Sequence, residues 1–132
     1  MKIQAYLSFS GACEQAFNFY QNLFGGSIKN KETWENKGQD IPEHYREKIQ
    51  HIELNGSGFS FMGYDASPDT PITNGSNICM SIDLESRDKA EEIFNKLSGS
   101  GRVHTPMQES SWGDYYGRCT DQFDIMWMIN AK

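Results

Sequence analysis

His51 and Glu53 are the residues whose types and spacing carry chemistry most directly. They stand two apart in Ile49-Gln50-His51-Ile52-Glu53-Leu54. That stretch alternates, so in a strand both side chains leave the same face. Ile52 and Leu54 take the opposite face and are expected to pack on a helix. An imidazole beside a carboxylate can serve as general base and orienting partner, or as two ligands of a metal. The same pair also makes an ordinary structural hydrogen bond on a polar face. Other candidates are spread along the chain. Arg118 shares a strand face with Asp114 and Tyr116, so it offers a grip for an anionic substrate, or a surface ion pair. Trp112, Tyr115 and Tyr116 offer a binding wall, a core or an interface. Cys79 could be a reactive thiol, but no positive charge beside it in sequence activates it, so an inert cysteine is expected. His104 precedes Thr105-Pro106 in an extended segment and reads as a surface histidine. Met62, Met80, Met126 and Met128 read as adaptable filler of a core or pocket.

The elements that position these residues follow from periodicity. Ile3, Ala5, Leu7 and Phe9 alternate with Gln4, Tyr6 and Ser8, predicting a half-buried strand. Ser10 is the expected N-cap of a helix carrying Ala12, Ala16, Phe19, Tyr20 and Leu23, stopped by Gly25-Gly26. A short strand is expected near Ser27–Trp34. A polar loop over Glu35–Glu47 follows, with Glu32–Glu47 as a candidate lid. The stretch through Leu54 meets Asn55-Gly56, a hairpin signal, and Phe59, Phe61 and Met62 return. Residues 64–76 carry Pro68, Pro71 and Gly75 and read as a linker. The pattern then restarts. Ile78, Met80, Ile82 and Leu84 share one strand face. Ser86 caps a helix with Ala90, Ile93, Phe94 and Leu97 inward, ended by Gly99 and Gly101. Arg102–Gln108 is extended. Asp114–Thr120 and Ile125–Ile129 form strands joined by a turn at Asp121–Asp124.

The order is βαβββ, linker, βαβββ: a module over 1–63, a linker over 64–76 and a module over 77–132. An internal duplication of this kind fixes the architecture. The fold class expected is α+β, one domain of two βαβββ modules forming a curved mixed sheet. Each sheet is covered by a helix on one face. The two uncovered faces, side by side, would form a concave trough for a small ligand.

Composition bounds the function. The chain has 132 residues, 12 Lys plus Arg, 18 Asp plus Glu and a net charge of −6. A nucleic-acid partner needs a basic footprint and is not expected. An anionic membrane surface is excluded on the same ground, and no apolar run reaches the ~18 residues of a span. Cys13, Cys79 and Cys119 are odd in number and contain no Cys-x-x-Cys, so free thiols in a reducing cytoplasm are expected. The start breaks at once into polar residues and has no signal-peptide core.

Several stretches resemble one known group. They are Tyr6-Leu7-Ser8-Phe9-Ser10-Gly11, Cys13 through Tyr20, Lys48 through Leu54, Pro106-Met107-Gln108-Glu109-Ser110-Ser111-Trp112-Gly113, and Asp121 through Met128. Together they cover nearly the whole chain. They resemble the PhnB-like branch of the vicinal oxygen chelate superfamily, also labelled 3-demethylubiquinone 3-methyltransferase-like. Glyoxalase I, extradiol dioxygenases and bleomycin-resistance proteins share that superfamily. Asp124 stands where the branch usually has glycine. The resemblance implies two βαβββ modules and, in catalytic members, a divalent metal held by His, Gln or Glu on the first and last strands of each module. The matching positions here are Gln4, Met62, Cys79 (or Asn77) and Met128. Two thioethers and a thiol suit soft ions rather than an oxygen-rich site, so no metal is expected. If one binds, Gln4, His51 and Glu53 are its candidate ligands. The methyltransferase label implies S-adenosylmethionine, but Gly56-Ser57-Gly58 sits in a hairpin and is a turn signal, not a nucleotide loop.

The expected function is therefore binding of a small molecule, cationic or aromatic, by a homodimer without cofactor. The pocket residues are Gln4, Tyr6, Met62, Cys79, Trp112, Tyr116, Arg118 and Met128. The alternative is a divalent-metal-dependent lyase, isomerase or dioxygenase with His51 and Glu53 at its centre.

Overall fold

The computed structural model describes residues 1–36 and 40–132. The chain divides into two compact units, Met1–Thr73 and Asn74–Lys132. The first holds β1 (Tyr6–Phe9), α1 (Cys13–Phe24), β2 (Ser27–Thr33), β3 (Ile49–Gly56) and β4 (Phe59–Asp65). One-turn 3-10 segments lie at Trp34–Asn36 and Glu43–Tyr45. The loop and lid expected over Glu32–Glu47 fall partly, at 37–39, outside the described residues. The second unit holds β5 (Met80–Leu84), α2 (Arg87–Ser98), β6 (Arg102–Glu109), β7 (Tyr115–Thr120) and β8 (Met126–Ala131). The strand orders are β1-β4-β3-β2 and β5-β8-β7-β6. In each sheet the first strand runs parallel to the last, and the other pairs are antiparallel. The two units thus repeat one α+β topology. Among the described residues no helix is long and apolar enough to cross a membrane.

Each helix covers one face of its own sheet. α2 buries Ala90, Ile93, Phe94 and Leu97, the face its spacing predicts. Its N-cap is Ser86, whose side chain accepts from the Lys89 N–H at 3.1 Å. α1 differs from expectation. It buries Cys13, Ala16, Phe17 and Tyr20, while Phe19 and Leu23 are half-buried. The Phe17 ring sits 5.5 Å from Phe61 and 6.3 Å from Phe9, centroid to centroid. Gly63 makes that approach possible, because a Cβ there would overlap the Phe17 ring.

Ser10 is not the cap of α1. The N-cap position is Ala12, which has no side-chain cap. Asp65, at the end of β4, does the work from a distant part of the chain. It is 1% exposed. Its Oδ1 accepts from the Gly11 N–H (2.7 Å) and the Cys13 N–H (3.0 Å), and its Oδ2 from the Ile49 N–H (2.9 Å). A buried carboxylate is tolerated when its lone pairs are satisfied in this way. One side chain therefore joins the start of α1, the start of β3 and the end of β4. Asp121 plays a similar part in the second unit, accepting from Phe123 N–H, Ile125 N–H and the Trp127 indole.

Other boundaries also move. The β3–β4 turn is Ser57-Gly58, with Gly58 at φ +83°, and Gly56 already pairs with Phe59. The expected Asn55-Gly56 turn lies two residues early. β4 reaches Asp65, so Tyr64 and Asp65 belong to the sheet rather than to the connection that follows. Ile3 is 89% exposed and Ile78 82% exposed. Both precede their strands and do not join the inward faces assigned to them. Asp124 sits at φ 68°, a left-handed turn conformation that glycine adopts freely and aspartate tolerates better than most other residues.

Candidate functional site

Two irregularities in neighbouring strands shape the uncovered face of the first sheet. Lys29 pairs with Glu53, Glu32 with His51 and Thr33 with Ile49. One extra residue therefore lies in β2 between Lys29 and Glu32. One extra residue, Gln50, lies in β3 between Ile49 and His51. These are β-bulges, which re-aim side chains at the cost of local pairing. In β2 the bulge includes Asn30 at φ 53°, a conformation asparagine adopts more readily than most residues. In β3 the bulge leaves Ile49 and Ile52 both buried, with Gln50 and His51 between them turned to the uncovered face.

His51 and Glu53 do share that face, as their spacing predicts. The structure joins them to two further residues. Tyr6 Oη lies 2.9 Å from His51 Nδ1, and His51 Nε2 lies 2.9 Å from Glu53 Oε2. Asn30 Nδ2 donates to the same Glu53 oxygen at 3.0 Å. A carboxylate only accepts, so Nε2 carries the proton. In the neutral ring Nδ1 is then the acceptor for the Tyr6 hydroxyl. The hydrogen bonds from His51 and Asn30 hold the Glu53 carboxyl below the usual carboxylate range, and Lys2 acts in the same direction. Burial, followed by the neighbouring Tyr64, pushes the Tyr6 phenol up.

Tyr6 also packs edge-on against Tyr64, with centroids 5.1 Å apart. Together with Ser8, Trp34 and Gln50 these two tyrosines line a concavity of about 480 Å³. Trp34 is fixed in this wall by its indole N–H, which donates to the Asp65 carbonyl at 3.0 Å. Trp34, Tyr64, Gln50 and Asn30 were not among the expected site residues. Trp34 ends a polar stretch, Tyr64 was assigned to a linker, and bulges leave no mark in composition.

The remaining candidates are placed as follows. Gln4 lies on the uncovered side, but its amide donates to Ser60 Oγ at 2.8 Å, and Ser60 donates to Asn55 at 2.6 Å. It does not join His51 and Glu53. Met62 is half-buried opposite Tyr6 in the β1–β4 register. In the second unit Arg118 pairs in register with Met128. Arg118 is half-buried and makes no ion pair or hydrogen bond among the described residues, so the expected surface ion pair is absent there. Trp112 is 60% exposed and packs at 5.3 Å on Tyr116. Cys79 is a half-buried free thiol. His104 is bonded through Nε2 to Thr120 Oγ1 at 2.6 Å. Arg87, not singled out from sequence, is a structural clamp. It pairs with Glu109, donates to the Gly113 and Lys132 carbonyls and lies over the Tyr115 ring.

The residues do not fit the divalent metal that the superfamily implies. The matching positions offer an amide already engaged with Ser60, two thioethers and a thiol, a poor set for a hard ion. The alternative ligand His51 has both ring nitrogens in hydrogen bonds. Among the described residues no three His, Cys, Asp or Glu side chains converge on one point.

Comparison with known proteins agrees with this topology. The profile of the 3-demethylubiquinone-9 3-methyltransferase family matches residues 1–130. A crystal structure of protein PA1353 from Pseudomonas aeruginosa is 30% identical, with a TM-score of 0.89 over 100% of this chain and 98% of that one. A putative 3-demethylubiquinone-9 3-methyltransferase, PhnB protein, from Bacillus cereus is 22% identical, with a TM-score of 0.86 over the full length of both chains. A glyoxalase/bleomycin resistance protein/dioxygenase family enzyme from Burkholderia phytofirmans shares the fold at 13% identity, with a TM-score of 0.65 over 96% of each chain. A βαβββ repeat, the matched profile and these neighbours converge: the chain belongs to the 3-demethylubiquinone-9 3-methyltransferase family, a PhnB-like group with the glyoxalase/bleomycin-resistance fold.

Proposed function

We propose that the chain binds a small, partly aromatic molecule against the uncovered face of its first sheet, without a divalent metal or other cofactor. The observation that carries this reading is the wall of Tyr6, Trp34 and Tyr64 over the polar floor of Ser8 and Gln50. Ligand sites are typically concave and largely apolar, with a few placed polar groups. The net charge of −6 favours a neutral or cationic ligand over an anionic one. Methyl transfer is not part of this reading. Gly56-Ser57-Gly58 lies in the β3–β4 hairpin, where it cannot open a helix toward a nucleotide-like cofactor. Three free cysteines fit a reducing compartment such as the cytoplasm. We take the working species to be a homodimer; sedimentation showing only monomer at micromolar concentration would remove that part.

The test is a calorimetric titration of neutral, cationic and anionic aromatic probes into wild type, Trp34→Ala and Tyr64→Ala. Saturable binding weakened about tenfold by either change supports the site. Binding that ignores both changes, or no binding at all, sinks it. The second reading, a metal-dependent enzyme centred on His51 and Glu53, rests on the convergence of those two side chains. Titration of chelator-stripped protein with Ni²⁺, Zn²⁺, Mn²⁺ and Fe²⁺ separates the two. Stoichiometric binding lost in His51→Ala would put the enzyme first.

A further inference from the structure

We propose that Tyr6, His51 and Glu53 form a proton relay opening into the concavity of the first sheet, with Tyr6 the catalytic group that meets the ligand. This inference rests on the binding site proposed above and names the ligand class it would take: a weakly acidic phenol or enol.

The geometry is directional. Tyr6 is 48% exposed and lines the concavity, so its oxygen is the end of the chain a ligand can reach. His51 lies behind it, Glu53 behind His51, and Asn30 fixes Glu53. The order matches the general arrangement of a reactive hydroxyl, a base and an orienting carboxylate. Two backbone bulges lie beside it in β2 and β3.

The step balances without another reactant. A ligand hydroxyl donates to the Tyr6 oxygen. As that proton arrives, Tyr6 passes its own proton to His51 Nδ1. The ligand O–H bond breaks and a new Tyr6 O–H bond forms. The old Tyr6 O–H bond breaks and an N–H bond forms. The ligand leaves the step as an anion and His51 as an imidazolium beside the Glu53 carboxylate. Tyrosine stays neutral throughout, because its own proton leaves as the ligand's arrives. Run backward, the same chain protonates a bound enolate. Among the described residues Tyr6 and Glu53 bond the imidazole, Glu32 lies opposite it in the β2–β3 register, Tyr64 packs on Tyr6 and Lys2 acts on Glu53.

The probe is 4-nitrophenol, whose acidity is near that of free imidazole and whose anion absorbs in the visible. Wild-type protein is titrated into the neutral phenol at about pH 6, below its ionisation. Binding is followed by calorimetry, the bound anion by absorbance and His51 by ¹⁵N-histidine NMR. The relay requires a saturable phenolate band and, at the same protein concentrations, a His51 signal protonated on both nitrogens. In Tyr6→Phe, at least a tenfold smaller band per molecule of phenol bound is expected. Asn30→Gly, which keeps the left-handed backbone of the bulge but removes the amide that fixes Glu53, should give a band reduced two- to fivefold. Neutral phenol bound with His51 unmoved overturns the relay and leaves the site standing. A full band in Tyr6→Phe also overturns the relay. No binding of the probe removes both the relay and the site beneath it.

Discussion

Replacing Asp65 tests the reasoning about what holds the site-bearing sheet together. Three buried backbone donors, Gly11, Cys13 and Ile49 N–H, converge on its carboxylate at 2.7, 3.0 and 2.9 Å. In Asp65→Asn the shape is kept. The remaining oxygen serves Gly11 and Cys13, but the new NH₂ group faces the Ile49 N–H, donor against donor. One buried donor is then orphaned, at about 1–3 kcal/mol, and two bonds to a charged acceptor become neutral, at about 1 kcal/mol each. The sum is about 3–5 kcal/mol. Asp65→Ala orphans all three donors, and about 5 kcal/mol is the expected ceiling after relaxation. Urea denaturation followed by circular dichroism reads this directly. With a slope of about 2 kcal/mol/M, the middle of the usual urea range, the asparagine variant's midpoint should fall by roughly 1.5–2.5 M. Asp65→Asn within 1 kcal/mol of wild type would refute the account, because a carboxylate binding three buried donors cannot be that cheaply replaced.

Other predictions follow from single observations. Gly63→Ala places a Cβ into the Phe17 ring and should cost about 1–3 kcal/mol through overpacking, measured by the same denaturation; an unchanged midpoint would mean that the helix shifts freely. The Glu53 carboxyl is held low by His51 and Asn30. Its contribution to stability is therefore complete above the ordinary carboxylate range and lost as pH falls through the depressed value. From about pH 5 downward, wild type should lose stability more steeply than Glu53→Gln; parallel profiles would show that the bonds do not persist in solution. Cys119 is buried, and burial with Asp121 nearby pushes its thiol up to about 11; Cys13 is buried and pushed up still further. A thiol reagent at neutral pH should therefore label native protein at Cys79 before the other two, as peptide mapping would show.

The repeat was legible because its signals are local. Alternation, 3.6-residue spacing and glycine punctuation each act over a few residues, and both βαβββ units carry them. The inward face of α2 was readable because polar residues occupy its other sides. α1 was misread because Cys13, Phe17, Phe19, Tyr20, Leu23 and Phe24 leave few polar positions to mark the outside. The shared face of His51 and Glu53 follows from a two-residue period. That Gln50 joins them does not, because a bulge is decided by the partner strand and by Asp65 binding the Ile49 N–H. Asp65 itself is an isolated acid at a strand end, and its three partners lie 16 to 54 residues away. Tyr64 and Trp34 border stretches rich in polar and turn residues, where periodicity is silent. Arg118 was given an ion pair on general expectation, and its strand neighbours provide none.

The two bulges between β2 and β3 have a consequence for how such a chain can diversify. Each adds one residue to its own strand, and they offset one another, so Thr33 and Ile49 resume the ladder phase that Lys29 and Glu53 began. Deleting Gln50 alone would restore plain alternation in β3, with Ile49 and Ile52 inward and His51 still outward, and would leave the β2 bulge without its counterpart. Deleting one residue from both strands would leave the downstream ladder in phase and remove only the aimed side chains. Substitution tunes this surface, but paired insertion and deletion can add or remove the bulge residues such as Gln50, leaving His51, Glu53 and the hydrophobic layer beneath in place.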